Sequence, residues 1–129
     1  MAQAILVVDD SVTSRMITQA TLSDAGWSVV LSTDGAQALN AMRAQSIGLI
    51  VTDWTMPGMD GAAFLAALRA DPDLAGLPVL VFSAEPSESA QAQAQAQALG
   101  ANAWLSKTVE PGILVNAVAL LLGQPEAAA

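Results

Sequence analysis

Cysteine and histidine are both absent from this 129-residue chain, and only Arg15, Arg43, Arg69 and Lys107 carry positive charge. Each absence removes a class of function. Disulfides and thiolate or imidazole metal sites are excluded, and so is the commonest general base. Four cations against twelve acids give a formal charge of −8, so no basic stripe exists to neutralise nucleic-acid phosphates. DNA and RNA are not expected partners. Cysteine usage leaves the redox compartment open.

Long hydrophobic runs are missing as well. The segment Ile5-Leu6-Val7-Val8 is short, lacks a basic flank and runs into Asp9-Asp10, unlike a signal peptide. Ile113 to Leu122 is apolar but interrupted by Asn116, whereas a membrane-spanning helix needs about 20 apolar residues. A cytoplasmic protein without membrane insertion is expected, and a monomer. With 53% hydrophobic residues the chain suits one globular domain over 1–123 with a short, frayed tail over 124–129, and leaves no room for a second folded output domain.

Short apolar runs alternate with helical patterns, the signature of repeated βαβ units in an α/β fold. The expected strands are Ala4 to Val8, Ser28 to Ser32, a third with the apolar segment Leu49-Ile50-Val51 that delivers Asp53, Val79 to Phe82, and Ala103 to Leu105. The first helix starts near Ser11, buries Val12, Met16, Ile17 and Ala20 on one face, and stops at Gly26. Asp34 caps the second, which buries Ala38, Leu39 and Met42. Asp60 caps a third whose Phe64, Leu65 and Leu68 face the sheet, and Asp71-Pro72 closes it. A fourth runs from about Ser87 to Gly100, and Leu114, Ala117, Val118 and Leu121 mark a fifth with Pro111 in its first turn.

The stretch from Ala90 to Ala98 alternates Ala and Gln with period two, formally a strand pattern. A helix is expected instead, because both residues favour helix and Ala is poor in strands. Leu99 is its only large anchor, so this helix should pack weakly.

Asp9-Asp10 follow the first strand and Asp53 follows the third. A parallel sheet gathers such strand ends on one edge, where open α/β sheets bind ligands. Carboxylates held close together repel, and a hard divalent cation, best magnesium, relieves the repulsion while leaving positions for a phosphate. One carboxylate can then attack phosphorus to give an acyl phosphate. The transferred group needs a cation and a hydroxyl or amide donor, and Lys107 and Ser83 each follow an apolar strand at the same edge.

With these residues in place the chain resembles the receiver domains of two-component response regulators, similar to the single-domain chemotaxis receivers. The matching residues are Asp9-Asp10, Asp53 with Met56-Pro57-Gly58-Met59-Asp60-Gly61, Ser83-Ala84 and Lys107, in order at the ends of the right strands. The resemblance covers essentially the whole chain. It implies a flavodoxin-like doubly wound sheet of five parallel strands in order 2-1-3-4-5 with five helices.

It further implies that Asp53 is the phosphoacceptor and that Asp10, Asp53 and the backbone carbonyl of Thr55 bind Mg2+ with Asp9 in the outer shell. Ser83 would hydrogen-bond the phosphoryl group and Lys107 pair with it. The donor would be a histidine kinase or histidine phosphotransfer protein. The reader would be a separate downstream protein at the surface of helix four, strand five and helix five, by chemotaxis-like docking, with a phosphorelay intermediate or phosphate sink as the alternative. Such a chain is not an enzyme beyond its own phosphorylation and dephosphorylation.

Two other classes compete. Phosphatases of the haloacid dehalogenase type place Asp-x-Asp on the first strand, where this chain has adjacent acids. A pseudo-receiver would not be expected to keep Asp9, Asp10, Asp53, Ser83 and Lys107 together. Two positions depart from the family pattern. Trp104 occupies the place of the aromatic that turns with the serine or threonine during switching, and indole is large for a pocket that must empty and refill. Thr108 stands where a proline usually follows the lysine in a cis bond, and a cis bond without proline costs about 2.5 to 4 kcal/mol.

Overall fold

The apolar runs become the strands of one parallel sheet in a computed structural model that describes residues 3–56, 58–83 and 89–123, excluding the Ser89 side chain. Pro57, Ala84, the expected helix start at Ser87 and the tail 124–129 lie outside the described residues. In chain order the elements are β1 (Ala4–Val8), α1 (Val12–Asp24), β2 (Val29–Ser32), α2 (Gly35–Ala44), β3 (Ile47–Thr52), α3 (Gly61–Ala70), β4 (Val79–Ser83), α4 (Ser89–Ala98), β5 (Ala103–Ser106) and α5 (Pro111–Leu122). The strand order is β2-β1-β3-β4-β5, the expected doubly wound arrangement.

β1, β3 and β4 are buried along their whole length because helices cover both faces of the sheet. Alternation along β1 divides the core. Leu6 and Val8 join Ile50, Phe64, Leu68 and Val81 on the side of α2, α3 and α4, while Ile5 and Val7 join Leu22, Leu49, Phe82, Leu114 and Val118 on the side of α1 and α5. Chain progress reverses between β1 and β3, which carry the crossovers to opposite sides, so a crevice opens at their carboxyl ends.

The caps read from sequence are made. Ser11 accepts from the Ser14 N–H at 3.2 Å, Asp34 from Gln37 at 2.9 Å and Asp60 from Ala63 at 2.9 Å. Gly26, with φ of 108°, takes the left-handed turn that ends α1. Ala38 and Met42 of α2 and Phe64, Leu65 and Leu68 of α3 are buried as expected.

α1 is rotated from the expected orientation. Thr18 and Leu22 are its buried residues, whereas Val12, Met16 and Ile17 are 60%, 60% and 61% exposed and Ala20 faces solvent too. The physical reason lies in the polar residues of its first turn. Ser14 and Arg15 both bond Asp9, which turns the Ser14, Arg15, Thr18, Leu22 side inward and the apolar stripe outward. Hydrophobic spacing alone could not reveal that constraint.

The Ala/Gln segment is helical over Ser89–Ala98, and among its described side chains only Ala96 is buried. Its far end is held by Arg69, whose guanidinium donates to the carbonyls of Ala75, Leu77 and Gly100 at 2.9, 2.9 and 2.7 Å.

Gly61 opens α3 against Trp54: an added Cβ would lie 2.8 Å from the Trp54 Cα and 2.8 Å from its ring. Backbone cannot yield there as a flexible side chain would. Gly61→Ala should therefore destabilise the fold by about 1–3 kcal/mol, read as a lower denaturant midpoint with unchanged slope. An unshifted midpoint would show that the Trp54 segment moves aside freely.

Candidate functional site

Ladder bonds continue past the strand ends and bring the acids together. Asp53 N–H donates to the Val8 carbonyl at 2.9 Å, setting Asp53 beside Asp9, and Lys107 N–H donates to the Ser83 carbonyl at 2.8 Å. Lys107 then reaches across. Its Nζ lies 2.6 Å from Asp9 Oδ2 and 3.0 Å from Asp53 Oδ2, joining residues 98 and 54 positions distant in sequence.

Asp9 is only 3% exposed and both its oxygens are engaged. Oδ1 accepts the Ser11 N–H at 2.9 Å, and Oδ2 accepts the Ser14 hydroxyl at 2.5 Å besides Lys107. Its backbone carbonyl accepts from Arg15 Nη1 at 2.7 Å. Asp53 Oδ1 accepts the Trp54 N–H at 2.8 Å. Asp10 is exposed at the mouth, and one oxygen from each of Asp9, Asp10 and Asp53 lies within 4.8 Å of the others.

Thr55 lies exposed on the loop beyond Asp53, and Ser83 is buried at the end of β4, opposite Ser106 of β5. Trp104 is half-buried on β5, with its ring centroid 5.5 Å from that of Trp54 at an interplanar angle of 53°. Sequence reasoning placed Asp9, Asp10, Asp53, Thr55, Ser83 and Lys107 at this edge and Trp104 within β5. It missed Ser14 and Arg15, and it missed the indole pair. The available signal for Ser14 was its place one helical turn inside the Ser11 cap, where a hydroxyl can turn back toward the strand end.

No cis peptide bond occurs among the described residues, so Lys107 reaches both carboxylates from a trans loop. In place of proline, Thr108 N–H donates to Ser106 Oγ at 3.2 Å, and the two hydroxyls share a hydrogen bond at 2.7 Å.

Residues 5–119 match the family described as "Response regulator receiver domain". The chain belongs to that family. Among its relatives are the chemotaxis protein CheY of Pseudomonas aeruginosa, 44% identical over 82 residues, and chemotaxis protein CheY-3 of Vibrio cholerae, 43% identical over 82 residues. Those stretches cover 63% of this chain in both cases and 66% and 63% of the relatives, just under two thirds of their length. The receiver also superposes on the Vibrio cholerae chemotaxis protein CheY4 with a TM-score of 0.87 at 31% identity, covering 95% of this chain and 100% of that one. A putative response regulator from Chloroflexus aurantiacus gives a TM-score of 0.87 at 28% identity, covering 96% and 100%.

Electrostatics in the receiver's site are set by burial. Burial pushes the Asp53 carboxyl above its ordinary value, and the Asp9 charge adds to this, against the opposing pull of Lys107 and the Trp54 N–H. For Lys107 burial works downward, but its hydrogen bonds to Asp9 and Asp53 and their charges outweigh it and leave the ammonium raised. An all-oxygen donor set around a carboxylate that resists ionisation suits a hard divalent cation.

Proposed function

We propose that residues 1–123 form a receiver that accepts one phosphoryl group on Asp53 from a histidine kinase or histidine phosphotransfer protein and signals its state to a separate protein. The observation that carries this reading is the Lys107 ammonium bridging Asp9 and Asp53, the nucleophile and the phosphoryl-binding cation in one contact. The exposed acid Asp10, Asp53 and the Thr55 carbonyl would hold Mg2+. Asp9, whose oxygens are already taken, fits the outer shell. When bound, the cation offsets the charge between the acids and the incoming phosphoryl oxygens.

An Asp53 oxygen attacks phosphorus, the P–N bond to the donor imidazole breaks, and its electron pair stays on nitrogen. The phosphoryl oxygens draw Lys107 from the carboxylates and take the Ser83 hydroxyl as a donor. Trp104 borders both the Trp54 ring beside Asp53 and a cavity of about 170 Å³ against Gln93, Ala96 and Gln97 of α4. Phosphorylation is therefore read at the α4, β5 and α5 face. Self-catalysed gain and loss of the phosphoryl group is the whole of its chemistry.

Ile17, exposed on α1 together with Val12 and Met16, lines a groove that reaches Lys107, which supports a protein donor. The same landing surface would serve transfer in either direction, so relay to a second phosphotransfer protein is the alternative role.

Incubation with magnesium and acetyl phosphate should add a single phosphoryl group to the intact mass, and chelation should prevent it. Magnesium should also change the emission of Trp54, whose backbone N–H donates to Asp53. Because the Asp53 carboxyl is raised, that response should begin to fade on acidification while ordinary carboxylates remain ionised. No mass gain with small or protein donors would leave only a binding module.

A further inference from the structure

Asp9 Oδ2 receives two donors at nearly equal distance, the Ser14 hydroxyl at 2.5 Å and the Lys107 ammonium at 2.6 Å. They differ in what the reaction asks of them. A phosphoryl group on Asp53 places new negative oxygens beyond the carboxylate that Lys107 now touches at 3.0 Å, and following them means loosening the closer contact with Asp9. Asp9 is 3% exposed, and a buried carboxylate that loses a donor is costly.

We propose that Ser14 is a positioning residue for phosphoryl transfer: its hydroxyl shares Asp9 Oδ2 with Lys107 and keeps that oxygen bonded when Lys107 moves to the phosphoryl group. The proposal rests on Asp53 being the acceptor. Ser14 is itself well fixed. Its N–H is capped by Ser11 Oγ at 3.2 Å and its carbonyl accepts from Thr18 Oγ1 at 2.9 Å, leaving the hydroxyl rotor to serve Asp9. Arg15 donates to the Asp9 backbone carbonyl and Ser11 to Oδ1, so neither replaces Ser14 at Oδ2. A threonine hydroxyl can fill the role, and a methyl group cannot.

The test measures phosphorylation of the full chain by acetyl phosphate with saturating magnesium, together with magnesium affinity from tryptophan emission, in wild type, Ser14→Ala, Ser14→Thr and Asp53→Asn. Ser14→Ala should slow phosphorylation by about 5–10-fold, the scale of one hydrogen bond, with magnesium affinity within about two-fold of wild type. Ser14→Thr should recover the rate to within about two-fold. An unchanged rate in Ser14→Ala overturns the proposal. So does a parallel fall in magnesium affinity, or failure of threonine to restore the rate, since either means that Ser14 only supports the local structure. Uptake by Asp53→Asn equal to wild type overturns the acceptor assignment instead.

Discussion

Asp53→Asn should abolish the phosphoryl gain from acetyl phosphate and at the same time raise the melting temperature. Loss of uptake follows from chemistry, because an amide oxygen lacks the charge that makes the carboxylate a nucleophile. The stabilisation follows from linkage. The folded pKa of Asp53 is raised, chiefly by burial and further by Asp9, so its contribution to stability is present below the unfolded value near 3.8 and is lost as pH rises through the folded value. At neutral pH the ionised carboxylate therefore works against the fold. Asparagine keeps the shape without the charge, and Lys107 keeps Asp9 as a partner. The melting temperature should rise at neutral pH, and the rise should vanish in acid where Asp53 is already neutral. A lower melting temperature at neutral pH would show that the Lys107 pairing outweighs burial and reverse the sign.

The second large effect separates protein donors from small ones. Met16 and Ile17 lie on the outward face of α1, and Ile17 lines the groove that leads past Phe82 to Lys107. A helical donor presenting a phosphohistidine to Asp53 would bury this stripe, and burying two large side chains contributes several kcal/mol in total. Met16→Glu combined with Ile17→Gln should cut transfer from a phosphorylated histidine protein by at least about 10-fold, which is a loss of roughly 1.4 kcal/mol. Glutamine is chosen at 17 because a new carboxylate beside Lys107 would disturb the site itself. Labelling by acetyl phosphate should stay within about two-fold, and stability within about 0.5 kcal/mol, because both residues are exposed. Equal loss with both donors would mean that the substitutions reach the site, and no loss with either would place the donor elsewhere.

Much of this receiver was legible before its structure. Asp34 and Asp60 are capping types at fixed offsets from the first buried apolar residue of their helices, and local chemistry of that kind survives folding unchanged. Strands buried on both faces read as unbroken apolar runs, so β1, β3 and β4 announced themselves and gave the places of Asp9, Asp53 and Ser83. The Ala/Gln stretch shows propensity prevailing over apparent period, since no packing demand on that exposed segment opposes it. α1 shows the reverse. Its apolar spacing pointed to one face, but hydrogen bonds from Ser14 and Arg15 to Asp9 fixed the other face inward. Those bonds join an element to the end of a strand, and spacing within the element carries no trace of them.

The sequence by itself determined the element order, the family and which residues meet at one edge, because strand ends and caps are local features and parallel βαβ units admit few arrangements. Only the tertiary structure decided how the charges pair. Lys107 spans Asp9 and Asp53, Ser14 shares Asp9 with it, Trp54 meets Trp104, and a trans loop tied by Ser106 and Thr108 stands where the family pattern has a cis proline. Each of these depends on distances between groups far apart in the chain, and those distances exist only once the sheet has formed.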